Sequence, residues 1–270
     1  MKVNKIAVLG CGNIGLSIAN GLVHSKKYSV KQIILTRRNL SLLDEHKEKG
    51  FEITNDNRKA VESSELVIVA VQPQQLNELL LEVQPSLVPK KHIIISVVSG
   101  ASLDAIQKIV GDDIPVVRAM PNTAIAIQES MTCLASRDNE ALKIAQEIFN
   151  TLGSSLIIKE ELMGPATALC ACGIAFFLRA IRAASQGGIE IGFHAEEAIL
   201  MASQTAKGAA QLLLQNESHP ESEVDKVTTP RGITISGLNQ MEHYGFSSAM
   251  IKGIVTSAEK AAKIYADKKE

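Results

Sequence analysis

The 270-residue sequence predicts two unlike parts: an α/β N-terminal part built on a doubly wound sheet, followed by an all-α part. Three observations predict this fold class. Short runs rich in Val and Ile alternate with amphipathic helical patterns as far as Lys159, and a glycine-rich turn joins the first strand to the first helix. No comparable strand-like run follows Lys159. The predicted domains are therefore residues 1–159 and 160–270, with no Pro- or Ser-rich linker between them.

The elements of the first part can be assigned in chain order. The predicted strands are KIAVLG, QIILTR, FEIT, LVIVAV, HIIISVV, PVVRAM, MTCLA and SSLIIK. Between them lie the predicted helices GLSIANGLVHS, LSLLDEHKEKG, NRKAVES, LNELLLEVQPSL, a helix that Ser102 would cap, and NEALKIAQEIFNTLG, for which Gly153 is the expected C-cap. Strands separated by amphipathic helices predict a parallel sheet with helices on both faces.

Composition excludes several classes of function. Apolar residues make up 46% of the chain and charged residues 21%, as in ordinary soluble proteins. A net charge of -1, 3% aromatic residues and no Trp give no footprint for nucleic acid or an acidic membrane, so neither is an expected partner. The four cysteines have irregular spacing, which predicts reduced thiols in a cytoplasmic protein and no metal site.

A long apolar helix is predicted at the start of the second part, from about Met163 to Ala184. It contains the longest uncharged run, LMGPATALCACGIAFFL, whose Gly, Pro, Thr and Cys content favours a buried core helix over a membrane span. Apolar or small residues occur on nearly every face, so the helix must be covered all round. A domain of this size cannot cover it alone, and we therefore expect a homodimer that interlocks through the helical part.

The glycine-rich turn has the pattern G-x-G-x-x-G and lies between a strand and a helix. It is made of Gly10, Cys11, Gly12, Asn13, Ile14 and Gly15. In this context the first glycine forms the tight turn, the second lets the backbone approach a pyrophosphate and the third lets helix and strand pack closely. The amides at the start of the helix would bind the anion. The turn therefore predicts a dinucleotide-binding, Rossmann-like domain.

The end of the second strand predicts which dinucleotide binds. Enzymes that use NAD usually have Asp or Glu there, to accept the ribose 2′-hydroxyl. This chain has Thr36, Arg37 and Arg38 instead. A hydroxyl and guanidinium groups favour a 2′-phosphate, so NADPH is the expected cofactor, with NADH as the weaker alternative.

Other strand ends should line the same carboxyl edge of the sheet, where ligands of open α/β folds bind. The fourth strand ends in Ala70, Val71, Gln72 and Pro73, which are candidate cofactor contacts. The sixth strand ends before Asn122, whose side chain is expected to approach the nicotinamide amide. Taken singly, each of these turns is better explained by ordinary turn chemistry.

The segment KVTTPRGITISGLNQME contains a second ligand-like turn. Thr229, Pro230, Arg231 and Gly232 directly precede a helix that starts near Ile233. Hydroxyl groups and amides at a helix start form an anion site, although an ordinary helix cap explains the same residues.

Taken in order, the glycine turn, VVRAMPNT, ATALCACGIAFF, LMASQTAKGAAQLLLQNESHP and KVTTPRGITISGLNQME resemble the pyrroline-5-carboxylate reductase family over essentially the whole chain. The resemblance implies reduction of L-1-pyrroline-5-carboxylate to L-proline with NAD(P)H, and a helical domain that interlocks as a dimer, often within a ring of dimers. It also implies site residues. The substrate carboxylate would be held by Thr229 and by the turn through Arg231, Gly232, Ile233 and Thr234. The Thr234 hydroxyl would reach the ring nitrogen as the catalytic group, and Asn57 would lie near the adenosine end of the cofactor.

Three departures from the family pattern bear on substrate preference. The family usually has S-G-S-G-P-A where this chain has CACGIA, beginning at Cys170 and including Cys172. The first of two paired glycines is replaced by Arg231, and Gln72 replaces a common lysine. Arg231 could strengthen anion binding, narrow the pocket or point to solvent.

The scarcity of acid–base residues is consistent with imine reduction. None of the six histidines pairs with Cys or Ser in a nucleophile motif, and Cys170 and Cys172 do not share a helix face. Because hydride arrival cancels the positive charge of a protonated imine, no oxyanion needs stabilising. Two alternatives stay open: a non-catalytic NADPH-binding regulator, or a reductase of a related cyclic imino acid. A β-hydroxyacid dehydrogenase is disfavoured, because the long helix lacks the lysine that such enzymes use.

Overall fold

The computed structural model describes residues 3–266, with side chains as far as residue 262. Its contacts divide the chain into two compact units. One comprises the residues up to Ala171 together with those from Ala258 onward, and the other is Cys172–Ser257.

The first unit is built on a single eight-stranded sheet of order β3-β2-β1-β4-β5-β6-β7-β8. The strands are β1 (Ile6–Leu9), β2 (Ile33–Thr36), β3 (Glu52–Thr54), β4 (Leu66–Val69), β5 (Ile93–Ser96), β6 (Val116–Met120), β7 (Ser130–Ser136) and β8 (Gly153–Ile157). Because β1 pairs with β2 on one side and β4 on the other, the strand order reverses at β1. The carboxyl ends of β1 and β4 therefore open a crevice at this switch point.

Helices cover both faces of the sheet. They are α1 (Asn13–His24), α2 (Asp44–Glu48), α3 (Asn57–Glu62), α4 (Leu76–Val83), α5 (Leu103–Val110) and α6 (Asn139–Phe149). One apolar cluster joins the sheet to α1 and α6, and a second joins the other face to α3, α4 and α5. The side chain of Ser102 accepts a hydrogen bond from the Ala105 amide at 3.1 Å, so the predicted cap of α5 is present. This is the doubly wound α/β architecture expected from the sequence.

Two details differ from the sequence prediction. Strand β7 is antiparallel to β6, because the connection between them holds only the short 3₁₀ helix Thr123–Ile127, too short for a parallel crossover. Helix α6 ends at Phe149 rather than at Gly153. Gly153 instead opens β8 with φ +136, where a Cβ would overlap the backbone of Ser130. The prediction that Gly153 caps α6 was wrong, because the sheet needs a glycine at this close approach.

The chain continues as a helical run from Met163 onward. Its elements are α7 (Met163–Ala166), a π-helical stretch (Thr167–Cys172), α8 (Gly173–Glu190), α9 (Ala195–Asn216), α10 (Pro220–Lys226), α11 (Ile233–His243) and α12 (Phe246–Ala266). Within the second unit, α8 packs on α9 through small residues. A Cβ on Gly188 would lie 3.0 Å from that of Ala198.

The apolar side chains of the second unit are mostly uncovered within one chain. Between Cys172 and Ser257, which the structure describes throughout, Ala198 is the one buried apolar side chain. The segment Glu160–Glu190 is long and apolar enough to cross a membrane by length and composition. Only 17% of its most apolar window is buried within the chain, so most of this surface is uncovered in one subunit. Phe177 and Leu178 are mostly exposed in one chain, so the predicted burial of this helix requires the second subunit that the sequence analysis expects to cover it.

Candidate active site

A cavity of about 520 Å³ occupies the crevice at the carboxyl ends of β1, β2 and β4. The residues predicted from sequence that line it are Gly10, Cys11, Gly12, Thr36, Arg37, Arg38, Asn57, Ala70, Val71 and Gln72. These residues come from four separate segments of the chain, and the parallel sheet brings their strand ends to one edge.

The three glycines of the turn differ in what surrounds them. Gly10 has φ +88, and a Cβ there would overlap the side chain of Val71. A Cβ on Gly15 would lie 2.8 Å from the carbonyl oxygen of Gly10. A Cβ on Gly12 would meet nothing within 4 Å, so it would project into open space beside the cavity. Gly10 and Gly15 are thus fixed by the fold, whereas at Gly12 the fold leaves open space.

Helix α1 presents its N-terminal end to this space. No side chain caps the helix at Gly12, and the first turn contains no acidic residue. Asn13, Ile14 and Gly15 form that first turn. Uncapped amides at a helix N-terminus suit a pyrophosphate, so the residues present fit the dinucleotide predicted from the sequence.

Cys11 contributes backbone rather than a reactive thiol. Its side chain is buried and its Sγ donates a hydrogen bond to the Val8 carbonyl oxygen at 3.3 Å. Burial raises the pKa of this thiol to about 12, so it stays protonated at neutral pH. Cys11 therefore shapes the turn without supplying a nucleophile.

A polar network lies at the end of β2. The Thr36 hydroxyl donates to Asn57 Oδ1 at 2.6 Å, and Asn57 Nδ2 donates to the Glu82 carboxylate at 3.1 and 3.2 Å. Across the cavity, Arg38 Nη2 lies 3.6 Å from Glu78 Oε2, with both side chains mostly exposed. Glu78 and Glu82 were not predicted as site residues from the sequence. The sequence signal that could have identified them is a pair of carboxylates one helical turn apart on the helix that follows β4.

Two predicted cofactor residues lie elsewhere in this unit. Pro73 lines a second cavity, of about 710 Å³, beside the ion pair that buried Arg118 forms with half-buried Glu160 at 3.0 Å. Asn122 uses its side chain to accept from the Ala124 amide at 3.0 Å and to donate to the Cys170 carbonyl oxygen at 3.4 Å. These bonds use one of its two N–H groups and one acceptor site, so its predicted contact with the nicotinamide stays a prediction.

The turn that precedes α11 is tightly closed. The Gly232 amide donates to the Thr229 carbonyl oxygen at 2.8 Å. A Cβ on Gly232 would lie 2.5 Å from Thr229 Oγ1 and 2.9 Å from that carbonyl oxygen, so glycine is required here. No side chain caps α11 at Gly232, and Ile233 is 95% exposed. The Thr234 side chain is exposed in the first turn of the helix. Uncapped amides beside two hydroxyl groups suit a carboxylate.

Arg231 has a left-handed backbone conformation in this turn, with φ +60. For a residue other than glycine this conformation costs about 1–2 kcal/mol. We therefore expect Arg231→Gly to raise the free energy of unfolding by about 0.5 kcal/mol, since the relieved strain exceeds the added unfolded-state entropy of glycine. Arg231→Ala keeps the strain and removes only the cation. Chemical denaturation of both variants checks this, and equal stabilities would contradict the strain.

Among the residues that the structure describes, no group of three His, Cys, Asp or Glu side chains is placed to hold a metal ion. Two of the histidines have structural roles. His92 is buried, and its Nδ1 accepts from the Val88 amide at 2.8 Å. Burial lowers the pKa of both His92 and His46, which keeps each imidazole neutral near pH 7.

Comparison with known proteins identifies both parts of the chain. Residues 160–264 match the family model described as pyrroline-5-carboxylate reductase dimerisation, and residues 5–100 match the NADP oxidoreductase, coenzyme F420-dependent model. The first match supports a homodimer and the second an NADP-dependent oxidoreductase.

Curated relatives and solved structures agree with these matches. The chain is 58% identical to pyrroline-5-carboxylate reductase 1 of Dictyostelium discoideum over 99% of its own length, but spans 51% of that relative. It is 52% identical to reductase 2 of the same organism, covering 98% of this chain and 95% of the relative. A pyrroline-5-carboxylate reductase structure from Coxiella burnetii superposes with a TM-score of 0.90 at 27% identity, covering 97% of this chain and 99% of that one.

A further structure, the Plasmodium falciparum pyrroline carboxylate reductase with NADP bound, shares the fold with a TM-score of 0.87 at 23% identity, covering 97% of this chain and 98% of that one. The glycine cradle, the uncapped turn before α11 and the near full-length similarity to reductase 2 lead to one conclusion: the chain belongs to the pyrroline-5-carboxylate reductase family.

Proposed function

We propose that this chain reduces the C=N bond of L-1-pyrroline-5-carboxylate to give L-proline, the last step of proline biosynthesis, with NADPH as the hydride donor. The observation that carries the proposal is the open space at Gly12, beside uncapped helix amides and next to Thr36, Arg37 and Arg38. The near full-length similarity to reductase 2 of Dictyostelium discoideum supports the choice of substrate.

The chain's own residues would bind and orient the reactants. The cofactor supplies a hydride when it is bound, and the backbone of Gly10–Gly15 and the start of α1 would hold its pyrophosphate. Arg37 and Arg38 would hold the 2′-phosphate by charge-assisted hydrogen bonds. The amides before α11 and the Thr229 hydroxyl would hold the substrate carboxylate. The Thr234 hydroxyl would hydrogen-bond the ring nitrogen.

Such a site can work without a dedicated general acid. A protonated imine is already electrophilic, and the arriving hydride neutralises it, so no buried charge develops. Catalysis then rests on holding the imine carbon close to the hydride donor in the correct orientation.

Exposed apolar residues on α8, α9 and α11 support subunit association. We propose that the homodimer assembles further into a ring of dimers, as the family resemblance implies. The four free thiols support a cytoplasmic location, where thiols stay reduced. We expect light scattering at micromolar concentration to give at least twice the mass of one chain, and a mass of one chain would contradict the dimer.

Arg37→Ala and Arg38→Ala should each weaken NADPH binding about 10-fold while leaving NADH binding nearly unchanged. The reason is that each removes a hydrogen bond to the charged 2′-phosphate, a contact of about 1.5–3 kcal/mol. Fluorescence titration with both nucleotides measures the two dissociation constants. Equal losses for the two nucleotides would contradict the assignment.

Glu78→Gln is the matched control for this selectivity. Glu78 pairs with Arg38, so its carboxylate competes with a 2′-phosphate for the guanidinium. Removing the negative charge should tighten NADPH binding by about two- to five-fold, since an exposed ion pair is worth up to about 1 kcal/mol. The change is opposite in sign to that of Arg38→Ala. Weaker NADPH binding in this variant would contradict the competition.

One steady-state assay separates the proposed function from its alternatives. NADPH oxidation is measured with the five-membered imino acid and with its six-membered homologue. Turnover that favours the five-membered ring supports the reductase, and a preference for the larger ring indicates a related cyclic imino acid. NADPH binding without turnover on either substrate would indicate a regulator.

A further inference from the structure

Two cysteines that are distant in the sequence are in direct contact in the first unit. Cys133 lies in β7 and Cys170 in the π-helical stretch Thr167–Cys172, and their Sγ atoms are 3.9 Å apart. Cys133 is buried, whereas Cys170 is half-buried. Both belong to a small apolar cluster that includes Met120, Ala135 and Met163. A half-buried thiol thus touches a buried one.

The two sulfur atoms would have to come closer to form a disulfide. A disulfide needs a separation of about 2.05 Å, so the pair must close by nearly 2 Å through rotation about χ1 and a small backbone shift. Cys170 lies in a wide π-helical turn, a form that interrupts regular helical hydrogen bonding and is often found at functional sites. Its neighbours in the cluster, Ala166 and Ala171, are small.

The pair is also chemically asymmetric. Hydrogen bonding by the Cys133 thiol lowers the pKa of Cys170 to about 7, and the pKa of Cys133 is raised by the same contact and by burial. The more exposed sulfur is therefore the one that becomes a thiolate near neutral pH. A thiolate that is partly exposed and next to a second thiol is the arrangement found in redox-sensitive cysteines.

We propose that Cys133 and Cys170 form a redox-modification site that a hydroperoxide oxidises to an intrachain disulfide. The Cys170 thiolate attacks the outer peroxide oxygen, the O–O bond breaks, and the alkoxide or hydroxide that leaves takes up a proton. The product is a Cys170 sulfenic acid. The Cys133 sulfur then attacks the Cys170 sulfur, the S–O bond breaks, and water leaves with the Cys133 proton. Two thiols lose two electrons to one peroxide, and a dithiol returns them.

The crosslink would join β7 to the start of the long helical run. It forms where the Cys170 carbonyl oxygen accepts the hydrogen bond from Asn122, the residue predicted to lie near the nicotinamide. Cys11 and Cys172 provide internal comparisons. Cys11 is buried among apolar residues, and Cys172 lies two residues beyond Cys170 with similar exposure but outside the apolar cluster that contains Cys133.

The test uses the full-length chain, first reduced and then treated with hydrogen peroxide at neutral pH. Free thiols are alkylated, and intact mass and peptide maps are recorded. We expect the loss of two hydrogen atoms and a peptide joining Cys133 to Cys170, both reversed by dithiothreitol. Cys172→Ser is the matched control and should crosslink to the same extent. Cys170→Ser should abolish the crosslink.

Cys133→Ala separates the two chemical steps. Without a resolving thiol, Cys170 should accumulate as a sulfenic acid that dimedone traps, or as a higher oxide. Circular dichroism checks that this variant is folded, and Cys133→Ser serves if it is not. A crosslink that survives in Cys170→Ser, a crosslink to Cys172 or between two copies, or peroxide treatment that leaves both thiols free would overturn the proposal.

Discussion

Gly12→Asp should abolish NADPH binding while leaving the first unit folded and slightly more stable. A side chain at this position meets no protein atom within 4 Å, and the backbone is extended with φ -87. Asp is a good N-cap, so we expect about 0.5 kcal/mol of added stability. Its carboxylate would occupy the space that we propose for the pyrophosphate. Losing two charge-assisted hydrogen bonds predicts a dissociation constant raised at least about 100-fold.

Gly15→Ala is the contrasting variant. Its Cβ would lie 2.8 Å from the Gly10 carbonyl oxygen and 3.3 Å from Val8 Cγ1, so α1 must move away from the sheet. We expect this variant to lose stability by about 1–3 kcal/mol, the usual cost of overpacking a core. Calorimetric titration with NADPH and thermal melts without it measure both quantities. Tight NADPH binding by Gly12→Asp would show that the pyrophosphate lies elsewhere.

Thr234→Ala should lower kcat/KM for the imino acid by about 10- to 100-fold with NADPH affinity unchanged. A hydrogen bond to a charged group is worth about 1.5–3 kcal/mol, and the hydroxyl is proposed to contact the charged imine nitrogen. The Thr234 side chain is exposed in the first turn of α11, so its removal should cost little stability.

Thr234→Ser retains the hydroxyl and is the matched control. We expect it to keep most of the activity, which distinguishes loss of the hydrogen bond from loss of the methyl group. Steady-state kinetics of both variants, together with NADPH titration, provide the comparison. An unchanged kcat/KM in Thr234→Ala would remove this residue from the catalytic role and leave the turn before α11 as a carboxylate site alone.

Local signals were enough to predict most of the fold. Strands β1, β2, β4, β5 and β6 are short runs rich in Val and Ile, and amphipathic helical patterns separate most of them, so hydrophobic periodicity and composition predicted their order. The roles of Gly10, Gly12 and Gly15 follow from one short motif, because the tight turn and the close helix packing are local requirements. The residues at the strand ends that line the cavity beside Gly12 could be predicted because parallel strands end at one edge, whereas Glu78 and Glu82, which lie on a helix, were not predicted.

Features that depend on contacts between distant segments could not be predicted. The antiparallel direction of β7 depends on how a short connection turns, which propensities do not specify. The pairing of Arg38 with Glu78 joins residues 40 positions apart, and the contact of Cys133 with Cys170 spans 37. The hydrogen bond from the Asn122 side chain to the Cys170 carbonyl oxygen likewise joins residues 48 positions apart.

The sparse interior of the helical unit has a consequence for folding. With Ala198 as its one buried apolar side chain between Cys172 and Ser257, that unit gains little from burial until a second copy covers α8 and its neighbours. Part of the free energy of folding must then come from a bimolecular step, so the melting temperature should rise with protein concentration. Dilution alone should therefore lower the stability of the folded protein.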